Sequence, residues 1–421
     1  MSKSYAIFGA GLSAQAARRL ARAKGLEAVL IDQAGEGDES TFATADLARF
    51  DAFIFSPGFG EEHPWRMLAE GSGRPCLSEI AFAARYWEGA IIGVTGTNGK
   101  TTLTALMHKA LSLCGDLSVA AGNIGYPFSD AVLSVTNQPS AYAVVEISSF
   151  QAELVDGLQL DALLWTNFAE DHLDRYGSMA DYFEAKARLF GCLKSDGICV
   201  IGPQVEKWMA GSGPTFSACT VADAGSSKDF QVKESSVFQR YPHLENFAIA
   251  AEFWWLLQKP NRALIAAAED FSLAPHRLAV VAEFQGVRFW NDSKATNFHA
   301  TLAALKSVDG PIVWIGGGRA KGGDVEAFAR AVADQVEAVM LYGEVAERIA
   351  VALDGASCTL QVHAGLEGAV RAAAECAATL SPADVVFSPG FASFDQFDSY
   401  AQRGKSFTDT VLSLKNHDER R

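Results

Sequence analysis

No Cys-x-x-Cys pair occurs in this chain. Its seven cysteines (Cys76, Cys114, Cys192, Cys199, Cys219, Cys358 and Cys376) are odd in number and scattered. They lack the spacing of a zinc site or a disulfide framework, and a reducing compartment suits them best. The opening, MSKSYAIFGAG, has a four-residue apolar run before its first glycine, short of the roughly 7 to 15 residues of a secretory leader. Nowhere does an uncharged apolar stretch approach the ~18 residues of a membrane span, so a cytoplasmic protein with no membrane partner is expected. Basic residues are also scarce: 35 Lys and Arg stand against 50 Asp and Glu, a formal charge of -15. That balance repels nucleic-acid phosphates and anionic membrane surfaces. Nucleic acid is therefore not an expected partner, whereas a few cations focused in a cleft still suffice for a small anion.

What is plentiful is apolar material. With 421 residues and 49% hydrophobic content, the chain exceeds what one compact core uses, and two or three domains are expected. Short apolar runs alternate with helical patterns, as in SYAIFGAG, AQAARRLARAKG and EAVLID; this is the pattern of βαβ units and parallel sheets, an α/β fold. Gly73 and Pro75, then LSEIAFAARYW and a new strand AIIGVTG, set a boundary near Trp87, and a second falls near Phe271. Beyond Arg277, LAVVAEFQ and VRFWND flank Gly286 and predict a hairpin. The βα alternation then resumes in PIVWIGGG, AVMLYG and DVVFSPG. The phrase Ser-Pro-Gly-Phe occurs twice, at Ser56–Phe59 and Ser388–Phe391, each time directly after an apolar strand. In a parallel sheet both would lie at carboxyl ends of strands, where ligands bind; two ordinary strand-ending turns are the alternative.

The most specific signal is GVTGTNGKTT, Gly93 to Thr102, between an apolar strand and a helix pattern with Leu103, Leu106, Met107, Ala110 and Leu111. Such a loop turns consecutive backbone N–H groups and a helix N-terminus toward phosphate oxygens, with Lys100 adding charge and Thr101 a hydroxyl for Mg²⁺. Gly96 and Gly99 let the backbone approach without a Cβ in the way. Val94 stands where the general phosphate loop has glycine, and a turn that only caps a helix is the alternative. Nucleotide triphosphate binding by Gly96, Thr97, Asn98, Gly99, Lys100, Thr101 and Thr102 is the expectation.

Other residues are ambiguous when taken singly. Glu146 ends the strand YAVVE and can supply an oxygen to Mg²⁺. His172, within EDHLD, is by itself a solvated or capping histidine. Lys186, within DYFEAKARLF, is by itself a helix lysine lying along apolar surface. Asn123, within GNIG, is a turn residue, and WNDSKATN (Trp290–Asn297) has the composition of a helix N-cap.

The variant GTNGKTT resembles the loop of the Mur ligases and of the related folylpolyglutamate synthases, and the likeness to the Mur ligases covers essentially the whole chain. Glu146–Gln151 is similar to the family's Glu-x-Ser-Ser-x-Gln, Thr166–Tyr176 to its Asn-x-x-x-Asp-His-x-Asp segment, and Asp181–Phe190 to the segment bearing its modified lysine. Pro275-His276-Arg277 and NDSKATN resemble two further motifs at a similar separation, and SPGFASFDQFDSY with Gln402-Arg403-Gly404 resembles the ending of the family's D-glutamate-adding branch.

The resemblance implies three α/β domains: a Rossmann-like uridine-nucleotide domain (1–87), a central P-loop ATPase domain with a parallel sheet (88–271) and a Rossmann-like amino-acid domain (272–421). It implies an ATP- and Mg²⁺-dependent ligase of peptidoglycan precursor synthesis, expected as a monomer, with UDP-N-acetylmuramoyl-L-alanine and D-glutamate as substrates. A substrate carboxylate attacks the γ-phosphate to give an acyl phosphate, and an incoming amine then displaces phosphate.

By the same resemblance Thr101 holds one metal, Glu146 and His172 hold a second, and Lys186 is carbamylated. Asn246 contacts adenine, Arg277 and Lys294 the ATP phosphates and Asp292 the ribose. Leu12, Ser13, Asp32, Gln33, Ser56 and Gly58 take the uridine nucleotide, and Asn123, Ser148 and Gln151 lie by the muramoyl substrate. Thr296, Lys321, Ser393 and the Phe394 backbone take the amino acid. Two departures stand out: Pro242 and His243 replace the His and Asn expected before Asn246, and Phe391 and Phe394 replace smaller or aliphatic residues. Gly9-Ala10-Gly11-Leu12-Ser13-Ala14 with Asp32 also has the spacing of a dinucleotide fingerprint, so an NAD-dependent oxidoreductase competes with the uridine reading. An L-glutamate-adding relative, a folylpolyglutamate synthase and a nucleotide-binding regulator that forms no bond compete with it as well.

Overall fold

In the computed structural model, residues 3–212, 219–222, 225 and 227–418 are described. Among them three sheets follow one another along the chain. The first holds β1 (Ser4–Phe8), β2 (Glu27–Ile31), β3 (Ala52–Phe55) and β4 (Cys76–Ser78) in the order β2-β1-β3-β4, all parallel. The second holds β5 (Ala90–Thr95), β6 (Ser118–Gly122), β7 (Tyr142–Glu146), β8 (Leu160–Trp165), β9 (Leu193–Ile201) and β10 (Cys219–Val221), parallel in the order β10-β9-β8-β5-β7-β6. The third holds β11 (Ala279–Phe284), β12 (Val287–Asn291), β13 (Ile312–Gly317), β14 (Ala338–Tyr342), β15 (Thr359–His363) and β16 (Ala383–Gly390) in the order β11-β12-β16-β13-β14-β15. Only β11 pairs antiparallel there.

Contacts divide the chain into two compact units. One comprises Met1–Phe168, Ser178–Gln239 and His243–Phe271; the other comprises Ala169–Gly177, Arg240–Pro242 and Ser272–Arg421.

The first unit contains the first two sheets. The helix Leu12–Ala23 buries Leu20 and four alanines, Ala14, Ala16, Ala17 and Ala21, and the alanines let it lie close to the strands. β5 and β7 are nearly continuous apolar runs with buried interiors, as strands covered on both faces must be. The two sheets are joined by an antiparallel bridge between Leu77 and Val155 and by Ser78 N–H donating to the Leu154 carbonyl (2.7 Å). A buried ion pair between Arg66 and Glu153 lies beside this seam. Glu79, also buried, accepts from Ser129 N–H at 2.5 Å.

In the second unit the predicted hairpin is present, with Gln285 at φ 52 and Gly286 at φ 73 making the turn. Two consecutive positive φ values give the turn the twist its strands need. The second Ser-Pro-Gly phrase does not end a strand as the first does. β16 runs through Ser388, Pro389 and Gly390 because Gly390 still pairs with Gly317 of β13.

Candidate active site

The phosphate loop leaves β5 at Thr95 and enters the helix Lys100–Leu113. Gly96 (φ 139) and Gly99 (φ 83) occupy conformations that L side chains rarely adopt. A Cβ on Gly96 would stand 1.9 Å from Thr166 Oγ1, and one on Gly99 2.3 Å from Asn246 Oδ1. The neighbours hold the loop by its backbone: Thr166 Oγ1 donates to the Asn98 carbonyl (2.6 Å), and Asn98 N–H donates to Asn167 Oδ1 (2.9 Å). Thr97 N–H reaches the Asn167 carbonyl (3.1 Å). Lys100 Nζ donates to the carbonyls of Gly96 and Thr97, both at 2.8 Å. Lys186, almost fully buried, donates to the same Gly96 carbonyl at 3.1 Å and lies over the Tyr182 ring. Two ammonium groups thus converge on one carbonyl oxygen at the mouth of the loop.

Glu146 ends β7, where Val94 of β5 is its register partner. It is 2% exposed. Asn123 Nδ2 donates to its Oε1 at 2.9 Å, while its Oε2 is buried without a hydrogen-bond partner among the described residues. A buried carboxylate oxygen left unpaired is costly, and a hard cation would satisfy it. Glu146 is a carboxylate of the kind Mg²⁺ prefers, and Thr101 stands in the first turn of the helix Lys100–Leu113. Asn123, read from the sequence as a substrate-side residue, is here the residue that orients Glu146. Ser148 and Gln151 form a capping box on the short helix Ser149–Ala152: Ser148 Oγ donates to Gln151 Oε1 (2.8 Å) and accepts from Gln151 N–H (3.2 Å).

At the first sheet, Leu12 and Ser13 follow β1, Asp32 and Gln33 follow β2, and Ser56 and Gly58 follow β3. All of them lie at carboxyl ends of parallel strands. The order β2-β1-β3 reverses direction at β1, the point where such sheets open a binding crevice. Gly9 lies against Ser56, whose Oγ is buried and has no hydrogen-bond partner among the described residues. Asp32 Oδ2 accepts from Ala34 N–H at 3.0 Å, and Leu12 is exposed.

In the second unit, Lys321, Thr296 and Phe391 line a small open cleft with Glu170, Asp171, His172, Leu173, Asn297, Phe298, Gly322 and Gly390. Lys321 Nζ lies 2.9 Å from Asp171 Oδ1, and Asn297 Nδ2 donates to Asp171 Oδ2 at 3.0 Å. Burial works against the Asp171 charge, but Lys321 and His172, together with the hydrogen bonds from Lys321 and Asn297, hold its carboxyl below the ordinary range. His172 adopts φ 55. Ser393 is buried and Phe394 exposed in the turn after β16. Both Asp292 oxygens are engaged, by Ser388 Oγ (2.8 Å) and Leu278 N–H (3.0 Å), and burial raises its carboxyl to about 7. Lys294 Nζ lies 4.0 Å over the Tyr400 ring. Arg403, fully buried, donates to Ser293 Oγ, to the Ser293 carbonyl and to the Phe391 carbonyl. It clamps the NDSKATN loop to the turn after β16.

Asp171, Thr166, Asn167 and Arg403 received no role from the sequence, although all lie inside or beside motifs quoted for it. The neighbouring family motifs were the available signal.

The parallel sheets and the glycine loop after β5 define a P-loop nucleotide-binding protein of the α/β class. The Mur ligase middle domain matches residues 94–251 and the Mur ligase, glutamate ligase domain matches residues 276–390, so the chain belongs to the Mur ligase family. Among its relatives it is similar to UDP-N-acetylmuramoylalanine--D-glutamate ligase of Gloeobacter violaceus, 34% identical over 451 residues, with 98% of this chain and 99% of that one covered. The protein of the same name from Geobacter metallireducens is 33% identical over 397 residues, covering 90% and 85%. The MurF ligase of Thermotoga maritima, solved in complex with ADP, shares the fold at a TM-score of 0.59 and 16% identity, over 90% of this chain and 98% of that one. Members of this family use ATP, and this chain is a ligase of that kind.

Proposed function

We propose that the chain joins D-glutamate to UDP-N-acetylmuramoyl-L-alanine at the expense of ATP, in peptidoglycan precursor synthesis. The observation that supports the ligase chemistry best is Glu146: one oxygen fixed by Asn123, the other buried and unpaired, one strand away from a phosphate loop lined by lysines. Its substrates are inferred from the names of the relatives.

In this reading the loop amides and Lys100 bind the β- and γ-phosphates and offset the charge that develops on them. Thr101 would hold one Mg²⁺ and Glu146 a second, and such ions neutralise phosphate charge. The terminal carboxylate of the L-alanine unit attacks the γ-phosphorus and ADP leaves; the amino group of glutamate then attacks the acyl carbon and phosphate leaves. Carbamylation of Lys186 would exchange the second ammonium at the Gly96 carbonyl for an anion, removing a like-charge contact. The uridine nucleotide lies at the carboxyl ends of β1, β2 and β3, where the unpartnered Ser56 hydroxyl fits a polar ligand group. Lys321, Thr296, Ser393 and the Phe394 backbone receive glutamate, the lysine because a second carboxylate calls for a cation.

The test supplies the muramoyl-L-alanine nucleotide and ATP with D-glutamate, L-glutamate, D-aspartate or meso-diaminopimelate and measures product mass. Product with D-glutamate, and ADP formation that requires both substrates, are expected. Product only with the diamino acid would overturn the choice of amino acid, and ADP formation indifferent to both substrates would overturn the ligase reading.

A further inference from the structure

The second sheet brings together two thiols that lie 20 residues apart in sequence. Cys199 of β9 and Cys219 of β10 are register partners on neighbouring parallel strands, and their Sγ atoms are 2.8 Å apart. Neighbouring strands run roughly 4.8 Å apart, within the ~4.4 to 6.8 Å Cα separation that a disulfide spans. The bond can therefore close without the backbone parting or folding over.

The two thiols differ in access. Cys199 is 3% exposed, whereas Cys219 is half-buried on the outermost strand of its sheet. They also differ in their hold on the proton. The hydrogen bond between them, with burial, keeps Cys199 protonated, while the same bond lowers the Cys219 thiol against the opposing effect of its partial burial. A reachable thiol beside a sealed one is the arrangement of an attacking and a resolving cysteine.

We propose that Cys199 and Cys219 form a modification site for low-molecular-weight disulfides, with Cys219 attacking and Cys199 resolving. The Cys219 thiolate attacks one sulfur of the small disulfide, breaking its S–S bond; a mixed disulfide forms and a small thiolate leaves to take up a proton. Cys199 then gives its proton to solvent and attacks Cys219 Sγ, closing the bond between them and releasing the second small thiol. The protein loses two electrons and two protons, and the small disulfide is reduced to two thiols. The bridge pins β10 to β9, which pairs with β8, the strand leading into the Thr166-Asn167 latch of the phosphate loop.

The reduced full-length protein is exposed to glutathione disulfide, quenched in acid with an alkylating agent, digested and mapped by mass. A cross-linked peptide joining Cys199 to Cys219 is expected, with the other cysteines alkylated. Cys199→Ser should accumulate a glutathione adduct on Cys219 about tenfold above the unsubstituted protein, because nothing resolves it. Cys219→Ser should take up no glutathione at Cys199. A lasting Cys219 adduct without a cross-link in the unsubstituted protein, or both thiols alkylated after exposure, overturns the proposal. If Cys199→Ser does not fold, a time course on the unsubstituted protein decides: the Cys219 adduct must appear before the cross-link, and a cross-link with no preceding adduct on Cys219 refutes the assigned roles.

Discussion

Lys321 Nζ and Asp171 Oδ1 lie 2.9 Å apart in a largely buried ion pair, braced by Asn297 on the other carboxylate oxygen. A lysine assigned to the glutamate carboxylate already faces an internal one, so its loss has two separable effects. Lys321→Met leaves Asp171 buried and uncompensated, which costs about 3 kcal/mol of stability, and it also removes the cation that glutamate needs. Adding Asp171→Asn should restore most of the stability, since contacting residues couple, yet leave the KM for glutamate raised about tenfold or more. Denaturant unfolding and steady-state kinetics on the single and double variants check this. A double variant that recovers its KM would show that Lys321 does not bind the substrate.

Asn123 is the second case in which a contact discriminates between roles. If it orients Glu146, as its 2.9 Å hydrogen bond indicates, then Asn123→Ala should raise the Mg²⁺ concentration for half-maximal turnover about tenfold, the usual effect of losing a residue that orients a metal ligand. The KM for the muramoyl nucleotide should stay near its original value. A selective rise in that KM instead would return Asn123 to the substrate side. Titrating Mg²⁺ and nucleotide separately distinguishes the outcomes.

The phosphate loop was legible in the sequence because its chemistry needs contiguous residues: Gly96, Gly99, Lys100 and Thr101 act within one turn. The α/β fold was legible because each βα repeat shows its periodicity locally. The supports of the site were not. Thr166 grips the loop from 68 residues away, and Asp171 meets Lys321 across 150, pairings that no short pattern encodes. Asn123 illustrates a subtler limit, since a turn residue's partner depends on which strand the sheet places beside it, here β7 next to β6. The cysteines looked scattered for the same reason: only the pairing of β9 with β10 makes Cys199 and Cys219 neighbours.

Gly99 has a positive φ and a close neighbour at once. Gly115 shares the φ, at 85, but a Cβ there meets open space. Gly115→Ala should therefore cost only the backbone strain, about 1 kcal/mol, and leave ATP affinity unchanged. Gly99→Ala adds a contact at 2.3 Å with the side-chain amide of the buried Asn246 and must displace either that side chain or the loop. ATP affinity should fall about tenfold or more. Calorimetric titration with a non-hydrolysable ATP analogue on both variants provides the comparison, and equal affinities would mean that the loop tolerates the displacement.

Two lysines directed at the Gly96 carbonyl make a prediction about Lys186 itself. Its ammonium lies 3.1 Å from that oxygen while Lys100 lies 2.8 Å from it, so conversion of Lys186 to a carbamate relieves repulsion between the two cations and places an anion beside the phosphate loop. Protein equilibrated with ¹³C-bicarbonate should show a carbamate carbon resonance that Lys186→Met lacks, and turnover of that variant should fall about a hundredfold. An unchanged spectrum in the variant would place the carbamate elsewhere.

Glu79 offers a pH signature independent of catalysis. It is buried, and desolvation raises its carboxyl to about 7 despite the hydrogen bonds from Ser129 and Phe128. Because the folded-state value lies above the unfolded one, near 4.3, the folded protein binds the extra proton. Stability is therefore undiminished below about pH 4 and declines as pH rises from there through 7. Above that range the charged form costs about 4 kcal/mol relative to a neutral group. Glu79→Gln keeps an acceptor for Ser129 N–H and cannot ionise. It should melt higher than the unsubstituted protein at pH 8, with the gap closing toward pH 5. Thermal melts across that range test the sign directly: a gap that widens in acid would mean that Glu79 is held as a stabilised carboxylate, with its partners outweighing its burial.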